Sequence, residues 1–252
     1  LELGRVDDSA RIPQAGADNE RLRAQRVDLP VRGLWLLPTR RRIEKLKRFF
    51  AVPPSTPGVL LVQSAELEEM ASEYSSLPLP AGWRVLPTIS DGLGDKCREV
   101  WPAVSKLDWV GLGCDDLRPQ TPSWDTTLVS RITGKNIVTC DDGVQHEARM
   151  SGITVFSGEL LRTMGYMFPP NFWHTYVDNV WEDIGRMAGC WTYVPDVLVT
   201  HDHPFRDQKI DPALADDTTY KSYGQQPRDI QAYRQWQATE RDAVVKRIKE
   251  MA

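Results

Sequence analysis

The sequence predicts an α/β domain built around a mostly parallel sheet. Short apolar runs alternate with helix-like segments along most of the chain, the pattern of repeated βα units. At 252 residues the chain is long enough for one sizeable core. Its 41% hydrophobic and 26% charged residues are an ordinary globular balance that excludes collagen-like and wholly disordered classes.

Residues 1–30 are polar, carry mixed charge and show no sustained period, and they read as an extension with a short helix near 19–26. The ordered domain is expected to start at Val31 and to run to 206, with 207–252 as a tail and helix. Residues 33–37 (GLWLL) form a buried strand stopped by Pro38, and the basic segment 40–50 reads as a helix ended by Pro53 and Pro54. A strand over 58–63 (GVLLVQ), a helix over 65–74 and a strand over 83–87 (WRVLP) follow. A helix over 94–105 leads into a strand at 109–112 (WVGL), which runs straight into Cys114-Asp115-Asp116. Segments 136–140 and 145–149 flank Asp142-Gly143, a dipeptide suited to a hairpin turn. Residues 152–156 are extended, 179–188 helical and 191–199 extended. The final helix covers 227–251, with Ile230, Tyr233, Val244 and Ile248 inward.

Net charge is −4, which points neither to nucleic acid nor to an anionic membrane. The charge is uneven, however: residues 31–50 hold seven bases and one acid, a local balance of +6. Cys97, Cys114, Cys140 and Cys190 are widely spaced and include no CxxC, so neither a zinc knuckle nor a disulfide framework is indicated. No apolar run approaches the roughly 20 residues of a membrane span. The N-terminus lacks the apolar stretch of a signal peptide, and a cytoplasmic protein is expected.

Four places carry candidate chemistry. Asp115-Asp116 closes the fourth strand, where open parallel sheets bind ligands. Adjacent acids repel unless a positive group sits beside them, and a divalent cation carrying a diphosphate supplies one; a turn with an Asp helix cap is the alternative. Thr200-His201-Asp202-His203-Pro204 ends the later extended run, and either histidine can add a nitrogen ligand to the same cation or belong to a polar loop. Asp178 opens a helix, either as its cap or as a general base facing a pocket. The aromatic stretch 167–174 lines a sugar site or fills the core. The sequence holds neither GxGxxG nor GxxxxGK[ST], so dinucleotide and P-loop readings lose support.

The order of these pieces resembles the family 2 glycosyltransferases and related GT-A enzymes. A strand ends in Asp-Asp. A strand with a Gly-containing loop follows at 155–161, then an acid (Asp178) with Gly189 eleven residues on, then an extended run ending in His. The resemblance covers residues 31–205 and is strongest over 109–116 and 156–203. It implies a GT-A-like, Rossmann-type mixed sheet, mostly parallel and flanked by helices. It matches Asp116 to the metal-binding acid and Asp115 to a metal or ribose contact, although Gly113 or Cys114 stands where a DxD motif has its first acid. His201 matches the metal-reaching histidine, with His203 as alternate, and Asp178 the catalytic base. Thr39 and Arg40 fall near the nucleobase, and Asp95 and Lys96 where the family contacts the nucleotide or diphosphate. The implied partners are a nucleotide-diphosphate sugar and Mn²⁺ or Mg²⁺, with sugar transferred to an acceptor hydroxyl and the anomeric centre inverted. The acceptor is open: the basic segment 40–48 allows DNA bearing a modified base, as on some phage genomes, or is a solvated face. A nucleotidyltransferase and a non-catalytic nucleotide-sugar-binding module are the rival readings.

Overall fold

Among the residues described by the computed structural model, 33–144, 149–202 and 227–250, eight strands join in one sheet. They are β1 (Gly33–Pro38), β2 (Gly58–Gln63), β3 (Trp83–Thr88), β4 (Trp109–Leu112), β5 (Leu117–Pro119), β6 (Ile137–Asp141), β7 (Thr154–Ser157) and β8 (Trp191–His201). Their order is β3-β2-β1-β4-β7-β6-β8-β5. β3, β2, β1 and β4 are mutually parallel. β7 runs against both β4 and β6, and β8 runs with β6. Two reversals restore the direction, so β1 to β4, β6 and β8 all point the same way while β7 and β5 oppose them. The carboxyl ends of β1, β4, β6 and β8 therefore share one edge.

Alternation along the strands splits the core into two layers. Leu36, Val59, Leu61, Val110 and Phe156 face helices α4 (Leu93–Val104), α6 (Gly158–Met164) and α7 (Val177–Ala188), through Cys97, Val100, Leu160, Val180, Trp181 and Ile184. Trp35, Leu37, Leu60, Val62, Trp109 and Val138 face the other way, onto α1 (Ile43–Phe49), α3 (Ala71–Ser75) and α5 (Trp124–Val129). α2 (Ser64–Glu69) precedes α3, and α8 (Pro227–Thr239) and α9 (Arg241–Glu250) close the chain. The fully apolar reading of the central strands follows from burial on both faces.

The parallel half is keyed by tryptophans lying over glycines. Gly33 pairs with Trp109 and Trp35 with Gly111 across β1 and β4, and Gly58 pairs with Trp83 across β2 and β3. A β-carbon at Gly33 or Gly111 would come within 2.2 Å of the facing indole, and one at Gly58 within 2.5 Å. Each glycine thus leaves the space into which its neighbour's ring lies flat. The indole of Trp35 meets that of Trp124 at 4.9 Å between ring centroids, and Phe50 meets Trp83 at 5.0 Å.

Several expected boundaries move for local reasons. The helix read over 40–50 begins at Ile43, because Arg41 adopts a left-handed φ of 53° that no α-helix accommodates. The helix read over 65–74 is two short helices interrupted at Met70 (φ −115°, ψ 32°). β6 pairs antiparallel with β7, and 145–148 of the segment expected beyond Asp142-Gly143 lie outside the described residues. β5, α5 and α6 were not expected. The C-terminal helix divides between Thr239 and Arg241, and its buried residues are Asp229, Trp236, Val244, Val245 and Ile248, with Ile230 and Tyr233 only half-buried. Tyr233 Oη and Gln237 Nε2 donate to Asp183 Oδ2 at 3.0 and 3.1 Å, tying α8 to α7. No helix among the described residues is long and apolar enough to cross a membrane. The expected extension at 1–30 lies outside the described residues.

Candidate functional site at the carboxyl edge of the sheet

The shared edge gathers the segments that follow β1, β4, β6 and β8. Two helices also begin there. α4 connects the end of β3 to the start of β4, so its first turn, with Asp95 and Lys96, lies at this edge. α7 ends just before β8 enters at the opposite edge, so its first turn, with Asp178, lies at the site side as well.

Asp115 and Asp116 are buried, with 6% and 5% exposure. Asp115 Oδ2 accepts hydrogen bonds from Thr39 Oγ1 at 2.9 Å and from the Arg40 backbone N–H at 3.2 Å. The Arg42 Nη1 group donates to Asp115 Oδ1 at 2.7 Å and to Asp116 Oδ2 at 3.1 Å, so one guanidinium bridges both acids. Burial raises the Asp115 pKa and the Asp116 charge adds to it, while Arg42 works in the other direction. The left-handed Arg41 makes this bridge: it turns its own side chain outward to Glu69 and sends Arg42 inward. Its backbone N–H is received by the buried Glu66 at 2.6 Å, which also accepts from Tyr74.

His201, at the end of β8, places Nε2 3.2 Å from Asp116 Oδ1 and Nδ1 3.7 Å from Asp142 Oδ2. Burial disfavours the charged ring, but Asp116 and Asp142 together outweigh it and raise its pKa to about 10. Asp142 is fully buried and also accepts the backbone N–H groups of Val144 at 2.9 Å and Gly152 at 3.1 Å. The dipeptide read as a hairpin turn thus contributes a carboxylate to the site. The following residue, Asp202, is held by Arg118 at 2.9 Å and Arg48 at 3.2 Å.

Asp178 occupies the first turn of α7, after Tyr176 in a left-handed cap conformation. Burial raises its pKa against the opposing pull of backbone N–H groups and Arg149. Its charge is felt at the Cys114 thiol, beside the acid pair. The loop before α7 is fixed from α8: Asp229 accepts the backbone N–H groups of Trp173 at 3.0 Å, His174 at 2.9 Å and Thr175 at 2.8 Å. His174 in turn senses Asp116, Arg42 and Arg40, while burial keeps its pKa below the ordinary value.

Thr39, Asp115, Asp116 and His201 are therefore joined by direct contacts through Arg42, and Asp178 stands near them. Lys96 lies beneath: its buried ammonium donates to the Thr39 carbonyl at 2.8 Å, supporting the loop from below. Arg40 reaches outward to Asp91 at 3.2 Å and Asp95 pairs with Arg98 at 2.5 Å. His203 lies outside the described residues. Arg42, Asp142 and Asp229 are the site residues that sequence reading did not single out.

The donor atoms suit a small divalent cation. The 3.2 Å between Asp116 Oδ1 and His201 Nε2 is the spacing two ligands have when each lies roughly 2.1 Å from one metal. Asp142, facing Nδ1, would orient the ring with Nε2 toward the cation. Among the described residues no three His, Cys, Asp or Glu side chains form a metal site by themselves. Diphosphate or water oxygens would have to complete the shell, an arrangement that Mg²⁺ and Mn²⁺ favour.

The fold is that of the GT-A-like nucleotide-sugar transferases. It is shared with the mannosyltransferase PcManGT from Pyrobaculum calidifontis, solved with GDP-Man and Mn²⁺: TM-score 0.50, 12% identity, 91% of this chain and 78% of that one. Looser likenesses are to 4-diphosphocytidyl-2C-methyl-D-erythritol synthase from Anaerococcus prevotii (0.47, 9%, 78% and 96%) and S. aureus TarS (0.44, 12%, 67% and 36%). No protein-family model matches the sequence, and no curated protein matches it.

Proposed function

We propose that the chain is a metal-dependent glycosyltransferase that moves a sugar from a nucleotide diphosphate to an acceptor hydroxyl with inversion. The observation that carries this reading is the convergence of Asp115, Asp116 and His201, from β4 and β8, at the carboxyl edge of a GT-A-like sheet, with Asp178 opening a helix at the same edge. The mannosyltransferase of the same fold was solved with a nucleotide sugar and Mn²⁺, which supports the same donor class here.

In this reading Asp116 and His201, or His203 in its place, hold the cation, and Asp115 faces the ribose or the cation. Thr39 and Arg40, on the loop after β1, contact the nucleobase, and Asp95 and Lys96 lie on the diphosphate side, Lys96 through the loop it supports. A bound Mn²⁺ or Mg²⁺ would offset the charge that builds on the departing diphosphate. Asp178 takes the proton from the acceptor hydroxyl as its oxygen attacks the anomeric carbon from the face opposite the leaving group, and one displacement of this kind inverts the centre. A raised pKa suits that task, since it strengthens the carboxylate as a base.

The basic segment 40–48 gives a DNA acceptor no separate support in this reading. Arg40, Arg41, Arg42, Lys47 and Arg48 each already face a carboxylate of this chain, so a phosphate backbone would have to displace those pairs.

The test is nucleoside diphosphate release from a panel of nucleotide sugars, with Mn²⁺ or with chelator, for wild type and Asp116→Ala. Metal-dependent release that disappears in the variant is the expected result. Donor binding without turnover would leave the binding-module reading in its place, and absence of both binding and turnover with every donor would overturn the two readings together.

A further inference from the structure

Arg42 occupies the position from which a cation would be bound. Its Nη1 lies 2.7 Å from Asp115 Oδ1 and 3.1 Å from Asp116 Oδ2, and its side chain is only 12% exposed, against 8% and 6% for the two acids. Two adjacent carboxylates buried to this degree repel each other strongly unless a positive charge stands between them. The guanidinium is that charge, and it is delivered by a backbone conformation that non-glycine residues seldom adopt, φ 53° at Arg41.

We infer that Arg42 is a built-in placeholder for the cation. It neutralises the acid pair while no cation is bound, competes with the cation for the same carboxylates, and on being displaced becomes available to the incoming diphosphate. This rests on the metal-dependent reading above and adds a residue to it.

The argument is electrostatic and steric. Mg²⁺ or Mn²⁺ needs the Asp116 oxygens that Arg42 and His201 now face, and two positive groups cannot share so small a space without mutual repulsion. Arg42 is well suited to the exchange because its planar fork pairs as readily with phosphate as with carboxylate. It stands at the N-terminal cap position of α1, on the short loop that also presents Thr39 and Arg40. A rotation of its side chain therefore suffices, with Arg41 still anchored by Glu66 and Glu69. The consequence is coupling: free cation binds poorly, and cation with diphosphate binds well, because the anion gives the displaced guanidinium a new partner.

The experiment measures Mn²⁺ affinity of the full chain by electron paramagnetic resonance, without and with pyrophosphate, for wild type, Arg42→Gln and Arg42→Lys. Thermal unfolding of each variant checks that it is folded. Arg42→Gln is expected to bind Mn²⁺ alone roughly tenfold more tightly than wild type, because a competing charge has been removed, with Arg42→Lys between the two. Pyrophosphate is expected to tighten Mn²⁺ binding more in wild type than in Arg42→Gln. Equal or weaker Mn²⁺ binding by a folded Arg42→Gln overturns the placeholder role while leaving the metal reading intact. Failure of every form to bind Mn²⁺, even with pyrophosphate, overturns both.

Discussion

His201 Nε2 lies 3.2 Å from Asp116 Oδ1, while Asp142 Oδ2 lies 3.7 Å from the other ring nitrogen. One imidazole thus ties together the ends of β4, β6 and β8, and the acid behind it sets which nitrogen looks into the site. Val144 N–H donates to Asp142 Oδ1 and Gly152 N–H to Oδ2, so replacing Asp142 by Asn keeps an acceptor for only one of them and removes the charge that orients the ring. The expected result is a loss of about 10–100-fold in Mn²⁺ affinity, the usual cost of removing such a supporting carboxylate. Calorimetric titration with Mn²⁺ checks it, and unchanged affinity would mean that the Asp142 carboxylate does not set His201 for metal binding.

Asp178 is expected to act on the rate and not on donor binding. Asp178→Asn should lower kcat by about 10²–10⁴-fold, the range for loss of a general base, with the donor KM little changed. Steady-state kinetics with saturating acceptor separate the two parameters. A variant that loses donor affinity at constant kcat would make Asp178 a helix-capping or binding residue instead.

How much of this could be read from the chain depends on where the information lies. Buried strands such as 33–38 and 58–63 were legible because burial on both faces writes an unbroken apolar run into the sequence. β5 was not: three residues show no period, and its existence depends on pairing with the far end of β8. α6 is marked in the sequence by Ser157 and Gly165: Ser157 caps its first turn by accepting from the Leu160 N–H, and Gly165 ends it in a left-handed conformation. The site divides the same way. Asp115-Asp116 and His201 could be singled out because they end strands at the edge where open sheets bind ligands, although turn, cap and loop readings stood beside them. Arg42 looked like one more base in a charged helix, because its partners are distant in sequence and the turn at Arg41 that aims it has no glycine to announce it. Asp142 was masked by Gly143, because an Asp-Gly dipeptide reads as a turn; Gly143 does take a left-handed φ of 73°, but the carboxylate beside it faces the site.

The glycine–tryptophan pairs make a prediction about the register of the parallel half. Gly111→Ala would bring a β-carbon within 2.2 Å of the Trp35 ring, which is itself packed on Trp124 and Trp109 and cannot retreat. Overpacking of this kind costs about 1–3 kcal/mol, or a melting temperature lower by roughly 2–4 °C per kcal/mol in a chain of this size. Gly111→Ala combined with Trp35→Leu should recover part of the loss, because the smaller side chain vacates the contact. Urea unfolding of the single and double variants tests this, and a fully stable Gly111→Ala would contradict the pairing of β1 with β4.

Asp229 extends the reasoning to the C-terminal helices. Its buried carboxylate receives three consecutive backbone N–H groups and the Thr175 hydroxyl, at 2.8–3.1 Å. Burial alone would raise its pKa, but those donors prevail and hold it below the ordinary carboxylate value. A carboxylate depressed in the folded state stabilises the fold above its unfolded-state pKa of about 3.9 and loses that contribution as pH falls through the lower native value. Asp229→Asn should therefore cost about 1–3 kcal/mol at neutral pH, the penalty for weakening hydrogen bonds to a buried charged acceptor. The gap between variant and wild type should begin to narrow below about pH 4, where Asp229 of the unfolded wild-type chain takes up a proton, and close as pH falls through the lower native value. Because the loop from Trp173 to Thr175 leads directly into the helix that carries Asp178, the same variant should lose activity as well as stability. Urea unfolding from pH 7 to pH 3 decides the matter: a stability difference that stays constant across that range would show that the charge on Asp229 is not what holds the loop.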